Sequence, residues 1–163
     1  MAEITLKGNP IHTNGELPAS GAAAPAFSLT GADLSDVGLD GFEGKKVLNI
    51  FPSVDTPVCA LSIKAFNEKA AGKDGVSVLN ISADLPFAQK RFCGAEGVED
   101  AVTLSSFRSS FASDYGLEIT DGPLAGLCSR AVIVLDESNN VVYSEQVPEI
   151  AQEPDYDAAL AAL

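Results

Sequence analysis

The chain is poor in the residues that most often carry metal or redox chemistry: three cysteines, one histidine and no C-x-x-C pair. Cys59, Cys93 and Cys128 match no zinc spacing and His12 is remote from them, so a metal site is not expected. An odd cysteine count without a secretion signal argues against a structural disulfide framework, leaving reactive thiols or inert core cysteines. No apolar run approaches the ~20 residues that a membrane helix needs. Basic residues are also scarce. Ten Lys and Arg against 23 Asp and Glu give a net charge of −13. Such a surface repels phosphate backbones and anionic lipid, so neither nucleic acid nor membrane is an expected partner. The acidic residues are scattered and read as a solvated surface. The opening MAEITLKGNPIHT has neither the basic start nor the apolar core of a signal peptide, which makes a cytoplasmic location the expectation.

What is present is enough for a core. With 163 residues, 46% of them hydrophobic, the chain reads as one domain over 1–163, of which 1–25 form an N-terminal hairpin and connector. Glu3 to Thr13 alternate around a turn expected at Gly8-Asn9-Pro10. His12 on this hairpin has no carboxylate near it in sequence and reads as an ordinary exposed histidine. Leu17 to Pro25 form a connector. Phe27 and Leu29 share one face of a strand that Asp33 to Val37 could continue, and Lys45 to Phe51 is a buried strand. A helix follows to about Ala71, stopping at Gly72, with Cys59, Ile63, Phe66 and Ala70 as its apolar stripe. Val76 to Ser82 is a strand. Asp84 is placed to cap a helix that starts near Leu85-Pro86, carries Phe87, Phe92 and Cys93, and is broken by Gly94 and Gly97. Val102 to Leu104 is a strand and Phe107 to Tyr115 a helix. Ala131 to Leu135 and Val141 to Ser144 form a hairpin, and Pro154 to Leu163 a closing helix. The order implies an α/β fold, a mixed central sheet flanked by helices with an N-terminal β-hairpin extension.

The chemistry concentrates at the strand–helix junction VLNIFPSVDTPVC, residues 47–59. Pro52 ends the strand, Thr56 suits the N-cap and Pro57 the first helical position. Cys59 then falls among free backbone N–H groups at the positive end of the helix dipole, which favour a thiolate over a thiol. A thiolate attacking a peroxide also needs a hydrogen-bond partner that orients the O–O group and positive charge for the developing oxyanion. The Thr56 hydroxyl suits the first need. Arg130, just before the most apolar strand, is the candidate for the second. An arginine at the edge of a buried strand needs a partner, and both a thiolate and a surface carboxylate would serve. Cys93, taken alone, reads as a buried inert thiol.

These blocks together resemble the thiol peroxidases, the atypical two-cysteine peroxiredoxins of bacteria. The resemblance rests on GNP at 8–10, KVLNIFPSVDTPVC at 46–59 and ISADLPFAQKRFCGAEG at 81–97. It continues with DGPLAGL at 121–127, RAVIVLDE at 130–137 and EPDYDAAL at 153–160. It implies a thioredoxin-like fold and a thiol-dependent peroxidase acting on hydrogen peroxide and alkyl hydroperoxides. By the same resemblance Cys59 is the peroxidatic cysteine and Cys93 the resolving one, joined in an intrachain disulfide that thioredoxin reduces. Thr56 and Arg130 resemble the activating partners, and Pro52 the residue that shields the thiol from solvent. No cofactor is implied, and a cytoplasmic homodimer is. Cys128 departs from the family pattern; it lies two residues before Arg130 and reads as a tolerated small side chain or a third thiol near the site. Cys59 and Cys93 are expected on different helices, whereas a disulfide needs Cα atoms within roughly 7 Å. One or both helices must then rearrange.

Two other readings stand beside this one. A disulfide reductase on the same fold is opposed by Thr56 occupying the place of a first cysteine. A non-catalytic thioredoxin-like redox sensor or binding module is compatible with the fold but leaves the combination of Thr56, Cys59, Cys93 and Arg130 without a purpose.

Overall fold

The computed structural model describes residues 2–70 and 73–163. Its frame is a mixed sheet in the order β4-β3-β7-β6-β5-β8-β9, seven strands among the described residues. The strands are β3 (Leu29–Gly31), β4 (Asp36–Val37), β5 (Lys45–Ile50), β6 (Val76–Ser82), β7 (Val102–Ser105), β8 (Ala131–Leu135) and β9 (Val141–Gln146). The N-terminal hairpin of β1 (Glu3–Leu6) and β2 (Asn9–His12) forms a separate two-stranded sheet. Its turn lies one residue earlier than the Gly-Asn-Pro signal indicates, at Lys7 and Gly8. Both have positive φ, and Pro10 sits inside β2. A two-residue turn with φ > 0 at both positions matches the twist of the flanking strands.

Helices α1 (Pro57–Lys69) and α2 (Pro86–Glu96) form the crossovers from β5 to β6 and from β6 to β7, both parallel pairs. The two crossovers step in the same direction across the sheet, so right-handed connections put both helices on one face. Alternation along the strands agrees. Val47 and Val78 pack with Phe66 of α1, with Ala70 at its C-cap and with Ala159 of α4 (Tyr156–Ala161). Leu48, Ile50, Leu79 and Ile81 point the other way, into a cluster with Phe27, Phe111, Tyr115 and Cys128. Cys59, Ile63, Phe66 and Ala70 are all fully buried, which is the stripe expected of α1. The stop expected at Ala71 and Gly72 lies outside the described residues.

Several element bounds differ from the sequence expectation. Asp33 to Val37 does not extend β3 but folds back as β4, antiparallel to it. The helix expected over Phe107 to Tyr115 shortens to α3 (Phe111–Asp114), because Ser105 and Ser109 side chains accept main-chain bonds in the preceding turns. Gly94 does not break α2, which continues to Gly97; the left-handed conformation there (φ 72°) ends it. The closing helix begins at Tyr156, capped by the Asp155 carboxylate, which accepts from the Ala158 N–H.

Gly116 occupies a backbone position where no side chain fits. Its φ is +69°, and a Cβ there would run into the Glu16 carbonyl oxygen of the connector. Gly116→Ala is expected to lower stability by about 2–3 kcal/mol, read as a fall in the urea midpoint.

Candidate active site

Pro52 follows β5, buried beside Phe51, and removes the N–H that a continued ladder would use. The chain then turns through Ser53 to Asp55. Thr56, extended at φ −101° and ψ 145°, is the N-cap position of α1 and Pro57 its first residue. Thr56 does not cap with its side chain. Its Oγ1 donates instead to the Ser53 carbonyl at 3.1 Å, so the hydroxyl proton is committed and its lone pairs face outward from that bond. Cys59 is the third helical residue and fully buried, in a cluster with Phe51, Val54, Ile63, Phe92, Cys93 and Val98.

Arg130 immediately precedes β8, and it is only 2% exposed. Its Nη1 donates to Cys59 Sγ at 3.3 Å and its Nε to the Ile150 carbonyl at 2.7 Å. Among the described residues no carboxylate pairs with it. Of the two partners open to it from sequence, the structure has the sulfur. The Ile150 carbonyl is itself held in place from the N-terminal hairpin, since the Ile150 N–H donates to Thr5 O at 2.9 Å.

Cys93 lies on α2, buried within the same cluster as Cys59 and not bonded to it. Burial, helped by the Asp100 carboxylate, pushes its thiol up from the ordinary value. A cavity of about 410 Å³ lies on its other side, between Lys90, Gly94, Glu99 and Thr103. A cleft of about 280 Å³ runs between the 53–57 turn and α2, over Val54, Thr56, Pro57, Ala60 and Arg91. Two surface ion pairs cross between the Cys59 segment and α2: Arg91 to Asp55 at 3.1 Å and Lys64 to Glu96 at 2.8 Å.

Cys128 lies in the other cluster, across the sheet from Cys59. Burial pushes its thiol up to about 12, and Ser106 Oγ is 3.8 Å from its sulfur. It is a core residue. His12 lies at the surface, as expected, and finds carboxylate partners there. Its Nδ1 meets Asp121 Oδ2 at 2.7 Å and its Nε2 lies 3.5 Å from Glu3, which raises His12 and lowers Asp121. This clamp fastens the hairpin to the 121–127 loop, a pairing across 109 positions that no local pattern signals.

A polar layer under α1 escaped the sequence reading. Asn49 and Asn80 are register partners on β5 and β6, and Asn49 Nδ2 donates to Asn80 Oδ1 at 2.9 Å. Asn49 Nδ2 also reaches Ser62 Oγ at 3.3 Å, and Ser62 Oγ donates to the Cys59 carbonyl at 2.9 Å. The repeated LNI within VLNIF and VLNIS was the available signal: an amide at an inward position of two apolar strands needs a buried partner. Asp84 does not cap α2, whose N-cap is Leu85. Its carboxylate accepts instead from Ser53 Oγ, Val54 N–H and Ser82 Oγ.

Residues 19–160 match the family model described as Redoxin. The thiol peroxidases of Mycobacterium tuberculosis and Mycobacterium bovis are each 63% identical to this chain over 164 aligned residues, covering 100% of it and 99% of theirs. The chain belongs to the redoxin family, among its thiol peroxidases. Solved structures agree with that placement. A peroxiredoxin-like protein from Aquifex aeolicus superposes with a TM-score of 0.92 at 39% identity, covering 99% of this chain and 95% of the other. The thiol peroxidase from Chromobacterium violaceum gives 0.91 at 26% identity with the same coverage.

The three thiols are expected to separate by environment. With reduced protein at pH 8, iodoacetamide should label Cys59 first and leave Cys128 unlabelled until denaturant is added, read by peptide mass spectrometry. Arg130→Met should slow Cys59 labelling at pH 7 by about tenfold or more, since one lost charge-assisted hydrogen bond is worth about 1.5–3 kcal/mol.

Proposed function

We propose that the chain is a peroxidase in which Cys59 attacks hydrogen peroxide and alkyl hydroperoxides and Cys93 resolves the product. The observation that carries this reading is the Arg130 guanidinium donating to Cys59 Sγ at the start of a helix. A buried guanidinium with sulfur as its partner sets positive charge against the attacking atom. It also leaves a second donor edge for the oxygen that departs. The thiolate attacks the terminal peroxide oxygen, gaining an S–O bond as the O–O bond breaks. The leaving alkoxide or hydroxide takes up a proton, and sulfur is oxidised by two electrons to the sulfenic acid. Thr56 accepts the peroxide O–H, Pro52 keeps bulk water off the sulfur, and the 280 Å³ cleft beside Thr56 is the approach route.

Cys93 then attacks the sulfenic sulfur, forming the Cys59–Cys93 disulfide and releasing water. Since the two cysteines occupy separate helices, α2 rearranges for this step. The hold on it is light. The two ion pairs that fasten it are exposed, and such pairs contribute roughly 0–1 kcal/mol each. Thioredoxin reduces the disulfide, its own dithiol being oxidised in exchange. The enzyme works as a cytoplasmic homodimer, without a bound cofactor and without nucleic acid or membrane as partner. Exposed Leu85 (51%) and Phe87 (67%) at the start of α2 favour a protein contact there. The described helices include none long and apolar enough to cross a membrane.

The test is a free-thiol count before and after one equivalent of hydrogen peroxide, beside Cys93→Ser. Two thiols should disappear in the parent, and one oxygen should appear on Cys59 in the variant. Retention of all three thiols in the parent would end the peroxidase reading; stoichiometric oxidation that thioredoxin cannot turn over would favour a sensor.

The resolving step carries a pH signature. Because the Cys93 thiol is pushed up and must lose its proton to attack, disulfide formation in acid-quenched samples should accelerate from pH 7 to pH 9. A flat profile would mean that helix movement alone limits the step.

A further inference from the structure

Asp84 stands in the connection between β6 and α2, half-buried, in a stretch that looks like a helix cap and is not one. Its Oδ1 accepts from Ser53 Oγ at 2.7 Å, and its Oδ2 from the Val54 N–H at 2.8 Å and from Ser82 Oγ at 2.6 Å. Three donors therefore converge on two oxygens, and among the described residues no Lys or Arg is paired with the charge. The bonds run in two directions. Toward the junction, the carboxylate holds the side chain of Ser53 and the main chain of Val54. The Ser53 carbonyl in turn accepts both the Thr56 hydroxyl at 3.1 Å and the Thr56 N–H at 3.3 Å, while Val54 packs in the cluster around Cys59. Toward α2, Ser82 Oγ accepts from Gln89 Nε2 at 3.1 Å, and Gln89 is fully buried and also bound to the Leu104 carbonyl.

We propose that Asp84 is a positioning residue for peroxide attack, its carboxylate setting the Ser53–Thr56 turn so that the Thr56 hydroxyl meets the substrate oxygen. The inference rests on the reading of Cys59 as the attacking thiol and adds a residue to it. A carboxylate answers all three donors with acceptors only. An asparagine NH₂ can face only one of the serine hydroxyls, which must rotate to accept, so the turn exchanges a charge-assisted bond for a weaker, reversed one. The electrostatic effect has the opposite sign. A carboxylate gives no support to a thiolate, so its removal takes away nothing that would favour one. Any loss of peroxide reactivity in an uncharged variant must then come through geometry.

That sign makes the proposal testable with two electrophiles. Iodoacetamide needs only the thiolate, whereas peroxide also needs its O–O axis aligned by Thr56. For the pre-reduced full-length protein at pH 7, Asp84→Asn is expected to lower the second-order rate with hydrogen peroxide at least about tenfold. Alkylation of Cys59 should stay within about twofold of the parent. In a Thr56→Val background the same substitution should cost little more, because both changes remove one alignment. A peroxide rate unchanged in Asp84→Asn would overturn the proposal. So would equal losses toward both electrophiles, or additive losses with Thr56→Val. If Asp84→Asn does not fold, Ser53→Ala removes a single donor to the carboxylate and should show the same selective loss on a smaller scale; a loss shared by both electrophiles, or none, overturns the assignment there. If the parent itself alkylates but does not consume peroxide, the peroxidase reading falls, an outcome separate from a failure of Asp84 alone.

Discussion

A guanidinium taken out of water without a carboxylate has to be answered by some other electron-rich group, and here that group is sulfur. Removing water from an ion costs several kcal/mol even after the protein relaxes. Arg130 meets that cost with one carbonyl and one thiol. The sheet register brings the two together. β8 runs antiparallel to β5 with Ala131 opposite Ile50, so the residue before Ala131 stands level with the residue after Ile50. That is where the chain leaves the sheet, and where α1 starts with Cys59 in its first turn. The parallel partner β6 lies on the other side of β5 and ends at the same edge, which delivers Asp84 and then α2. Arg130, Cys59 and the helix of Cys93 thus converge because three adjacent strands end or begin at one place, as ligand sites in α/β sheets commonly do.

The two faces of the sheet hold different chemistry. One contains Phe27, Phe111, Tyr115 and Cys128 with the apolar residues of β5, β6 and β8. There burial outweighs the Ser106 hydroxyl and raises Cys128, and burial raises Tyr115 as well. The other face contains Cys59 and Cys93 beneath α1 and α2, and it is there that the inward amides Asn49 and Asn80 and the hydroxyls Ser62 and Ser82 interrupt the apolar pattern. Buried polar groups of this kind need near-complete pairing and so admit few arrangements. Being close to Arg130 in sequence was therefore no guide to the role of Cys128; the sheet lies between it and the site.

What could be read from the sequence was what depends on periodicity and on local turn chemistry. The strand–Pro–Thr–Pro–Cys junction, the α1 stripe and the order of strands and helices follow from residues that act within a few positions of one another. What could not be read was the destination of polar side chains. Asp84 carries every mark of a helix cap, an acid two residues before a proline at a helix start, yet the oxygens find better donors 31 and 30 residues back in Ser53 and Val54. Thr56 sits at an N-cap position, yet its Oγ1 donates to the Ser53 carbonyl and accepts no cap bond from α1. His12 meets a carboxylate 109 residues away. In each case propensity gives the right place for the residue and tertiary geometry decides which bond it makes.

The same contrast explains why one cysteine's helix is suited to stay and the other's to move. α1 is anchored along its length: Ile63, Phe66 and Ala70 are fully buried, Val47, Val132 and Val134 lie beneath, and Ala159 of α4 packs alongside. Fully burying a large apolar side chain contributes about 1.5–3 kcal/mol, so pulling this stripe away is costly. α2 turns Phe87 outward and begins on the exposed Leu85. Its outer ties are the two surface ion pairs, and its C-terminal end is a left-handed glycine. Its inner ties, Phe92 and Gln89, are the ones that resist. Gln89 is bound through Ser82 to the carboxylate that also sets the turn over Cys59. α2 is thus joined to the turn over Cys59 by hydrogen bonds as well as by the packing of Phe92 and Cys93, and in the proposed resolving step those hydrogen bonds can be exchanged for water one at a time.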